Sequence, residues 1–343
     1  MPCLIEGAAF FVNRVYNANK LTTKEVLHME IYAAFGLKPE QLTSLTTSGY
    51  TVMTAADFDL EAAVTSVEVV YGWDKNAQEL LKHSNHVRWI QTMSAGVDYL
   101  PLADLAKHNI RVSNTSGIHA VPIAESVLSY LLAFGRGLSA TRTLAPAQYW
   151  PRTTVMQSMF TLEGKTAVIF GTGHIGQAIA RLLTAFGVHV LGVSAHGRMV
   201  ANFEQVGTDK DTAAFLKRAD FVINVMPLTP ATLHFFNAER FAQMRRHPIF
   251  VNVGRGPSVD TDALLVALNQ GQITGAALDV FENEPLPANS PLFNDARVLL
   301  TPHVSGTVEH LRDVVFAIFN ANLEEFSRTG QLVQNQVDLL AGY

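Results

Sequence analysis

The stretch Thr166-Ala167-Val168-Ile169-Phe170-Gly171-Thr172-Gly173-His174-Ile175-Gly176 constrains this chain more than any other. Its first five residues are apolar and partly β-branched with no polar alternation, as in a strand covered on both faces of a parallel sheet. The run stops at Gly171. Beyond it Ile175, Ala178, Ile179, Leu182, Leu183 and Phe186 recur at the i, i+3, i+4, i+7, i+8 and i+11 positions of one helix face, and Gly187 follows as a stop. Strand, GxGxxG turn and helix in this order make a pyrophosphate cradle. The glycines permit a tight turn and let backbone N–H groups approach the anion at the positive end of the helix. Gly171, Gly173, His174, Ile175 and Gly176 are the expected dinucleotide contacts. Strand–helix packing alone would leave two of the glycines unexplained.

The same grammar repeats downstream. Short apolar runs at residues 188–193, 221–226, 249–253, 276–281 and 298–301, mostly separated by helix-like segments, predict an α/β fold with a Rossmann-type doubly wound parallel sheet. The N-terminal part predicts a smaller, flavodoxin-like α/β unit with strands at 50–53, 67–71, 87–92 and 110–113 and helices at 76–83 and 99–108. A long amphipathic helix starting at Ala120, with Pro122 in its first turn, runs through Leu128, Leu131 and Leu132 and is expected to bridge the two units. Another, over 307–328, buries Leu311, Val314, Val315, Ile318 and Phe319 before Gly330. If this last helix packs on the first unit, the chain crosses between units near 114–116 and near Pro302, and the cleft lies there. The expected division is a substrate domain of residues 1–115 and 303–343 and a dinucleotide-binding domain of residues 116–302.

Composition narrows the class. The 343 residues suffice for two domain-sized cores. A net charge of -5 without any basic block argues against a nucleic-acid partner. Cys3 is the only cysteine, so neither an intrachain disulfide nor a cysteine-rich zinc site is possible, no metal site is expected, and the usage suits a reducing compartment. Residues 1–20 have no basic head, and Glu6 interrupts their short apolar run, unlike a secretory signal. No apolar stretch is long enough to span a bilayer. A cytoplasmic protein without a membrane partner is expected.

An NAD-binding unit is expected to place a carboxylate after its second strand, on the adenosine ribose. Here Val190-Leu191-Gly192-Val193 leads into Ser194-Ala195-His196-Gly197-Arg198. A carboxylate there would repel a 2'-phosphate by about 4 kcal/mol per unit charge at about 4 Å and an effective dielectric of about 20, whereas Ser194 and Arg198 suit one, with His196 beside them. NADP(H) is favoured; a solvated Arg198 leaves NAD(H) open.

Three later segments, Asn252-Val253-Gly254-Arg255-Gly256, Asp279-Val280-Phe281-Glu282-Asn283-Glu284-Pro285 and Thr301-Pro302-His303, each follow a strand candidate. Beyond the carboxyl ends of strands they can converge on one crevice. A guanidinium grips a carboxylate in bidentate fashion, and a histidine exchanges protons near neutral pH, with its other ring nitrogen held by an acid. Each residue alone has a bland alternative: a strand-end arginine, a solvated acid, a hydrogen-bonded core histidine. The residues themselves leave Glu282 and Glu284 as competing acids, and they assign no chemical role to His119 or Glu125.

With these segments the chain resembles the D-2-hydroxyacid dehydrogenases, which include glyoxylate/hydroxypyruvate reductases, D-lactate dehydrogenases and phosphoglycerate dehydrogenases. The resemblance covers most of the chain. It rests on the glycine loop, Met226-Pro227-Leu228-Thr229, residues 251–256, 279–285 and 301–306, in family order and at family-like spacing. It implies Arg255, Glu284 and His303 as the catalytic trio, and Asp279 near the nicotinamide in a cofactor site that includes Met226, Pro227, Val253, Gly254 and Gly306. It also implies Ser94-Ala95-Gly96-Val97-Asp98 as the substrate loop, with Ser94, Ala95 and Gly96 holding the substrate carboxylate. Tyr71, Trp73 and Tyr99 are candidate pocket walls, with core packing as their alternative. The implied activity is reversible hydride transfer between NADP(H) or NAD(H) and a small 2-oxo acid or D-2-hydroxy acid. Glyoxylate or hydroxypyruvate is favoured, and longer acids such as pyruvate or phenylpyruvate stay open. A homodimer around the helix at 120–138 is implied as well. The alternatives are an NAD(H)-sensing corepressor-like binding protein, or phosphoglycerate dehydrogenase, which would need extra basic residues for the phosphate. Formate dehydrogenase, with a glutamine in place of the acid, is disfavoured by Glu284, and a purely structural protein has no use for such a crevice.

Overall fold

The computed structural model describes residues 29–142, 144–150 and 153–342; Cys3 and the segment 1–20 lie outside the described residues. Two parallel sheets organise the chain. The first contains β1 (Glu30–Ala33), β2 (Thr51–Thr54), β3 (Val67–Tyr71), β4 (Trp89–Gln91) and β5 (Arg111–Ser113) in the order β2-β1-β3-β4-β5, the flavodoxin-like arrangement. Strand alternation divides its side chains between two cores. Tyr32, Val70, Ile90 and Val112 face one side. Ile31, Ala33, Val69, Tyr71 and Trp89 face the other, against Val315, Phe319, Leu323 and Phe326 of the helix Leu311–Thr329. The Phe319 ring lies 5.1 Å from Trp89 and 4.5 Å from Tyr71. The last helix therefore belongs to the first sheet, some two hundred residues away in sequence. It begins at Leu311, later than the periodicity predicts, because His310 sits at a left-handed φ of 53°, which a helix cannot include. Gly330, at φ 70°, ends it.

The second sheet contains β6 (Thr166–Phe170), β7 (His189–Val193), β8 (Gln205–Gly207), β9 (Phe221–Asn224), β10 (Ile249–Asn252), β11 (Gly275–Leu278) and β12 (Val298–Leu300), in the order β12-β11-β10-β9-β6-β7-β8. The order reverses at β6, where a doubly wound sheet opens its crevice. The helix after Phe170, His174–Ala185, packs Ile179, Ala180 and Leu183 against Ile123, Ala124, Val127 and Leu131 of the helix Ala120–Gly135. That second helix is shorter than the expected 120–138. It stops at Gly135, and after Gly137, at φ 72°, a separate helix Leu138–Arg142 begins. Among the described residues no helix is long and apolar enough to cross a membrane.

Candidate active site

In the second sheet one row of register partners runs Val193, Phe170, Asn224, Asn252, Leu278 and Leu300. These strands end level. The residues that come next, Ser194, Gly171, Val225, Val253, Asp279 and Thr301, leave the sheet along one edge.

At Gly171 the backbone turns through φ 103°, and a Cβ there would meet the Val225 carbonyl oxygen at 3.1 Å. At Gly176 a Cβ would lie 2.0 Å from the Gly171 oxygen, so only glycine lets helix and strand approach this closely. At Gly173 nothing stands within 4 Å of a built Cβ, and no side chain caps the helix that starts at His174. An open backbone at an uncapped positive helix end fits a pyrophosphate. The His174 Nδ1 lies 3.4 Å from the Ser116 hydroxyl, beside the crossing between the two sheets.

Buried Asn224 and Asn252 steer the next turns. Asn224 Nδ2 donates to Asn252 Oδ1 (3.0 Å) and to Ser258 Oγ (2.7 Å), and its Oδ1 accepts from the Met226 N–H (3.1 Å). Asn252 Oδ1 accepts from the Gly254 N–H (3.1 Å), and its Nδ2 donates to the Arg255 carbonyl (3.2 Å). Arg255 leaves this turn toward the first sheet. Its Nε donates to Asp98 Oδ1 (3.1 Å), its Nη1 to the Gly254 carbonyl (2.9 Å), and its Nη2 lies so close over Gly96 that a Cβ there would be 1.5 Å away.

His303 stands at a left-handed φ of 54°, a conformation its neighbours must impose. Asp279, 1% exposed, does so. Its carbonyl accepts from the His303 N–H (2.8 Å), Oδ1 accepts from the Thr301 hydroxyl (2.6 Å) and the Val304 N–H (2.9 Å), and Oδ2 accepts from the Ser305 N–H (3.0 Å). With the Thr301 proton committed to Asp279, the Tyr130 hydroxyl 2.7 Å away is the donor to Thr301. Burial pushes the Tyr130 phenol up, which keeps that proton in place. The His303 Nδ1 lies 2.8 Å from Glu284 Oε2, and Glu284 Oε1 accepts from the Phe281 N–H at 2.9 Å. The two competing acids separate here: Glu284 meets His303, while Glu282 Oε1 lies 2.6 Å from His234 Nε2.

A crevice of about 450 Å³ lies between the sheets. It is lined by Ser94, Ala95 and Gly96 from the first and by Ile175, Met226, Pro227, Val253, Gly254, Arg255, Asp279, His303 and Gly306 from the second. Glu284 backs His303. Ser194, His196 and Arg198 lie beyond the crevice lining at the end of β7, His196 and Arg198 exposed and the Ser194 Oγ accepting from the Gly197 N–H at 3.2 Å. The loop at Ser94 is held by its own hydroxyl, which donates to the Gly96 carbonyl (2.7 Å) and lies 2.9 Å from the Tyr99 hydroxyl, and by Asn114 Nδ2 donating to the Ala95 carbonyl (2.8 Å).

The aromatic walls expected at Tyr71 and Trp73 are not at this crevice. Tyr71 is the last residue of β3 on the face that meets the C-terminal helix, so its ring is core, and burial raises its phenol far above the usual range. Trp73 lines a separate cavity of about 900 Å³ with Leu81, Tyr99 and Leu105. Conversely, His119 was assigned nothing, yet its ring lines the crevice and ties the two crossings, Nδ1 lying 2.7 Å from the Gly306 carbonyl and Nε2 3.2 Å from the Thr115 hydroxyl. Asp98 meets Arg255 across 157 residues of sequence. No local pattern signals either contact. Asn224 and Asn252 did carry a signal, each being the one amide that ends an apolar strand.

A doubly wound sheet whose glycine loop, arginine and carboxylate-bound histidine meet along one edge defines a dinucleotide-dependent oxidoreductase. Comparison with known proteins agrees. The model of the D-isomer specific 2-hydroxyacid dehydrogenase NAD binding domain matches residues 128–305. A glyoxylate reductase of Thermofilum pendens is 36% identical over 69% of this chain and 71% of its own. A phosphoglycerate dehydrogenase structure from Lactobacillus plantarum is 41% identical, covering 90% of this chain and 100% of that one, with a TM-score of 0.52. An NADPH-dependent glyoxylate/hydroxypyruvate reductase from Sinorhizobium meliloti, solved with NADP and sulfate, is 28% identical, covering 92% of this chain and 100% of that one, with a TM-score of 0.78. The chain belongs to the D-isomer specific 2-hydroxyacid dehydrogenase family.

Proposed function

We propose that the protein reduces a small, unphosphorylated 2-oxo acid, glyoxylate or hydroxypyruvate, with NADPH. The observation that carries this is the His303–Glu284 contact facing Arg255 across the crevice. With Nδ1 engaged by Glu284, His303 has Nε2 left for the substrate oxygen. In the reductive direction the imidazolium, stabilised by Glu284, donates its proton there and is left neutral; in the reverse direction the neutral ring accepts the proton and Glu284 stabilises the imidazolium that forms. Arg255 binds the carboxylate with the N–H groups that Asp98 and Gly254 leave over, and the N–H groups of the loop at Ala95 and Gly96 complete its binding. The nicotinamide cofactor, when bound, supplies the hydride; Gly171, Gly173 and the turn at His174 would hold its pyrophosphate, and Met226, Pro227, Val253 and Gly254 its nicotinamide end.

Among the described residues lining the crevice Arg255 is the only lysine or arginine, which supports a substrate without a phosphate and speaks against phosphoglycerate. The absence of a carboxylate in residues 194–198 supports NADP(H). We further infer the domain division at residues 115–116 and 302–303, a cytoplasmic setting, and a homodimer built near the helix Ala120–Gly135, beyond which Leu138, Tyr149, Trp150 and Met156 present exposed apolar surface.

Steady-state kinetics with glyoxylate, hydroxypyruvate, pyruvate and 3-phosphohydroxypyruvate, each with NADPH and NADH, tests this reading. Highest kcat/KM is expected for glyoxylate or hydroxypyruvate with NADPH. Negligible turnover of every acid would instead favour a nucleotide-sensing protein. His303→Ala should lower kcat by about 10² to 10⁴; unaltered turnover would remove His303 from the chemistry. Ser194→Asp should shift preference toward NADH.

A further inference from the structure

Glu282 stands two residues before Glu284, and the crevice does not use it. Its Oε1 lies 2.6 Å from His234 Nε2, and its Oε2 accepts from the Thr261 N–H at 2.9 Å. His234 has a left-handed φ of 46°, and its own N–H donates to the Pro257 carbonyl at 2.9 Å. The strand-like bridge continues with Phe236 donating to Ser258 at 3.0 Å and Asp260 donating back to Phe236 at 3.1 Å. The segment following Arg255 is thus clamped to the segment of His234. It also presses on the acidic turn, since a Cβ on Gly256 would sit 1.8 Å from the Phe281 carbonyl oxygen.

We infer that His234 and Glu282 form a positioning pair that fixes the Phe281–Glu284 turn between the Arg255 segment and His303, and so sets where Glu284 meets the His303 ring. Neither residue touches the reacting atoms. Around it Phe281 and Leu286 pack on the core of the second sheet and Phe281 meets Gly256, while the Glu284 carboxylate itself is held by the Phe281 N–H and the His303 ring. Releasing Glu282 lets the turn lift from Gly256 and carries the Glu284 carboxylate with it. Burial alone would raise the Glu282 carboxyl, but hydrogen bonds from Thr261 and the contact with His234 outweigh it and hold the group below the usual carboxylate range, so it is anionic where the enzyme works. A displacement on the order of 1 Å at a catalytic contact is enough to lower turnover by up to about a hundredfold.

The inference rests on the proposed reaction only for the role given to the His303–Glu284 contact, and its test includes a readout that needs no substrate. Crystal structures of the wild-type chain, His234→Gln and Glu282→Gln read the contact directly: the Glu284 carboxylate should sit on His303 Nδ1 in the wild type, as at 2.8 Å here, and leave it in both variants. With glyoxylate and NADPH the two single variants should lose about tenfold in kcat with little change in the KM for NADPH. In the Glu284→Gln background His234→Gln should lower kcat no further, because it acts through Glu284. Thermal melts check that each variant is folded; Glu282→Gln, which keeps size and shape, carries the test if His234→Gln does not fold. A Glu284–His303 contact that stays in place in a folded variant overturns the inference, and so does an effect of His234→Gln that persists undiminished without Glu284. A wild-type chain that reduces no 2-oxo acid would remove the functional reading and leave the crystal structures to decide this one.

Discussion

Asp279 shows how one side chain in this protein does what a motif does not reveal. Its two oxygens and its carbonyl together hold Thr301, His303, Val304 and Ser305, so the carboxylate is the frame on which a strained histidine is mounted. Asp279→Asn replaces one acceptor oxygen with a donor that cannot serve an N–H, leaving a buried amide unsatisfied at about 1–3 kcal/mol. The expected result is a lower melting temperature together with a kcat reduced by at least about tenfold. Wild-type kcat in a destabilised Asp279→Asn protein would show that the frame is not needed for His303. Arg255 and His303 stood out in the sequence because each follows an apolar strand run, whereas Glu284 was no more visible than Glu282 and was favoured only by the family resemblance. Tyr71 was misplaced because a strand-end aromatic reads alike whether it points into a cleft or a core; only the pairing of β3 with β1 decides the face. The contacts of His119 with Gly306 and of Asp98 with Arg255 were silent for a related reason, since the partners are far apart in sequence and leave no local pattern.

The second sheet was legible element by element, because its central strands are continuous apolar runs bounded by glycine or amide residues. β1, with the residues Glu30-Ile31-Tyr32-Ala33, was not read, nor was the three-residue edge strand β8. Such pieces are too short for periodicity to stand out, and neighbouring strands rather than propensity decide them. The C-terminal helix was read by its apolar face, but its weight shows only in the packing. Phe319→Ala removes a ring stacked on Trp89 and touching Tyr71, and a cost of about 3–5 kcal/mol is expected, measured as a lower urea midpoint. Hydrogen exchange should rise in β3 and β4 and stay at wild-type levels in β6 and β9. Before β12, Asp295 takes two hydrogen bonds from the Arg297 side chain, 2.9 and 2.6 Å long, and the Arg297 guanidinium holds its carboxyl below the usual range. A carboxyl that binds its proton more weakly when folded than when unfolded stabilises the fold above its unfolded pKa, and that contribution fades as pH falls through the folded value. Asp295→Asn should therefore unfold at lower urea near neutral pH and converge with the wild type only below the usual aspartate range.

The whole molecule has two kinds of core. The strands of the second sheet, residues 166–300, follow one another without interruption, and each strand finds its partners within that span. The first sheet, complete in strands by Ser113, still lacks one wall until Val315, Phe319, Leu323 and Phe326 arrive. Closing so long a loop is entropically slow compared with pairing successive strands. Pulse-labelled refolding should therefore protect the amides of β6 and β9 before those of β1 and β3; simultaneous protection would mean that the two cores form as one. During synthesis on the ribosome the half made earliest is then the half finished last. An oily strip along β1, β3 and β4 stays bare while nearly two hundred further residues emerge, and it is during that wait that a chaperone would find this chain.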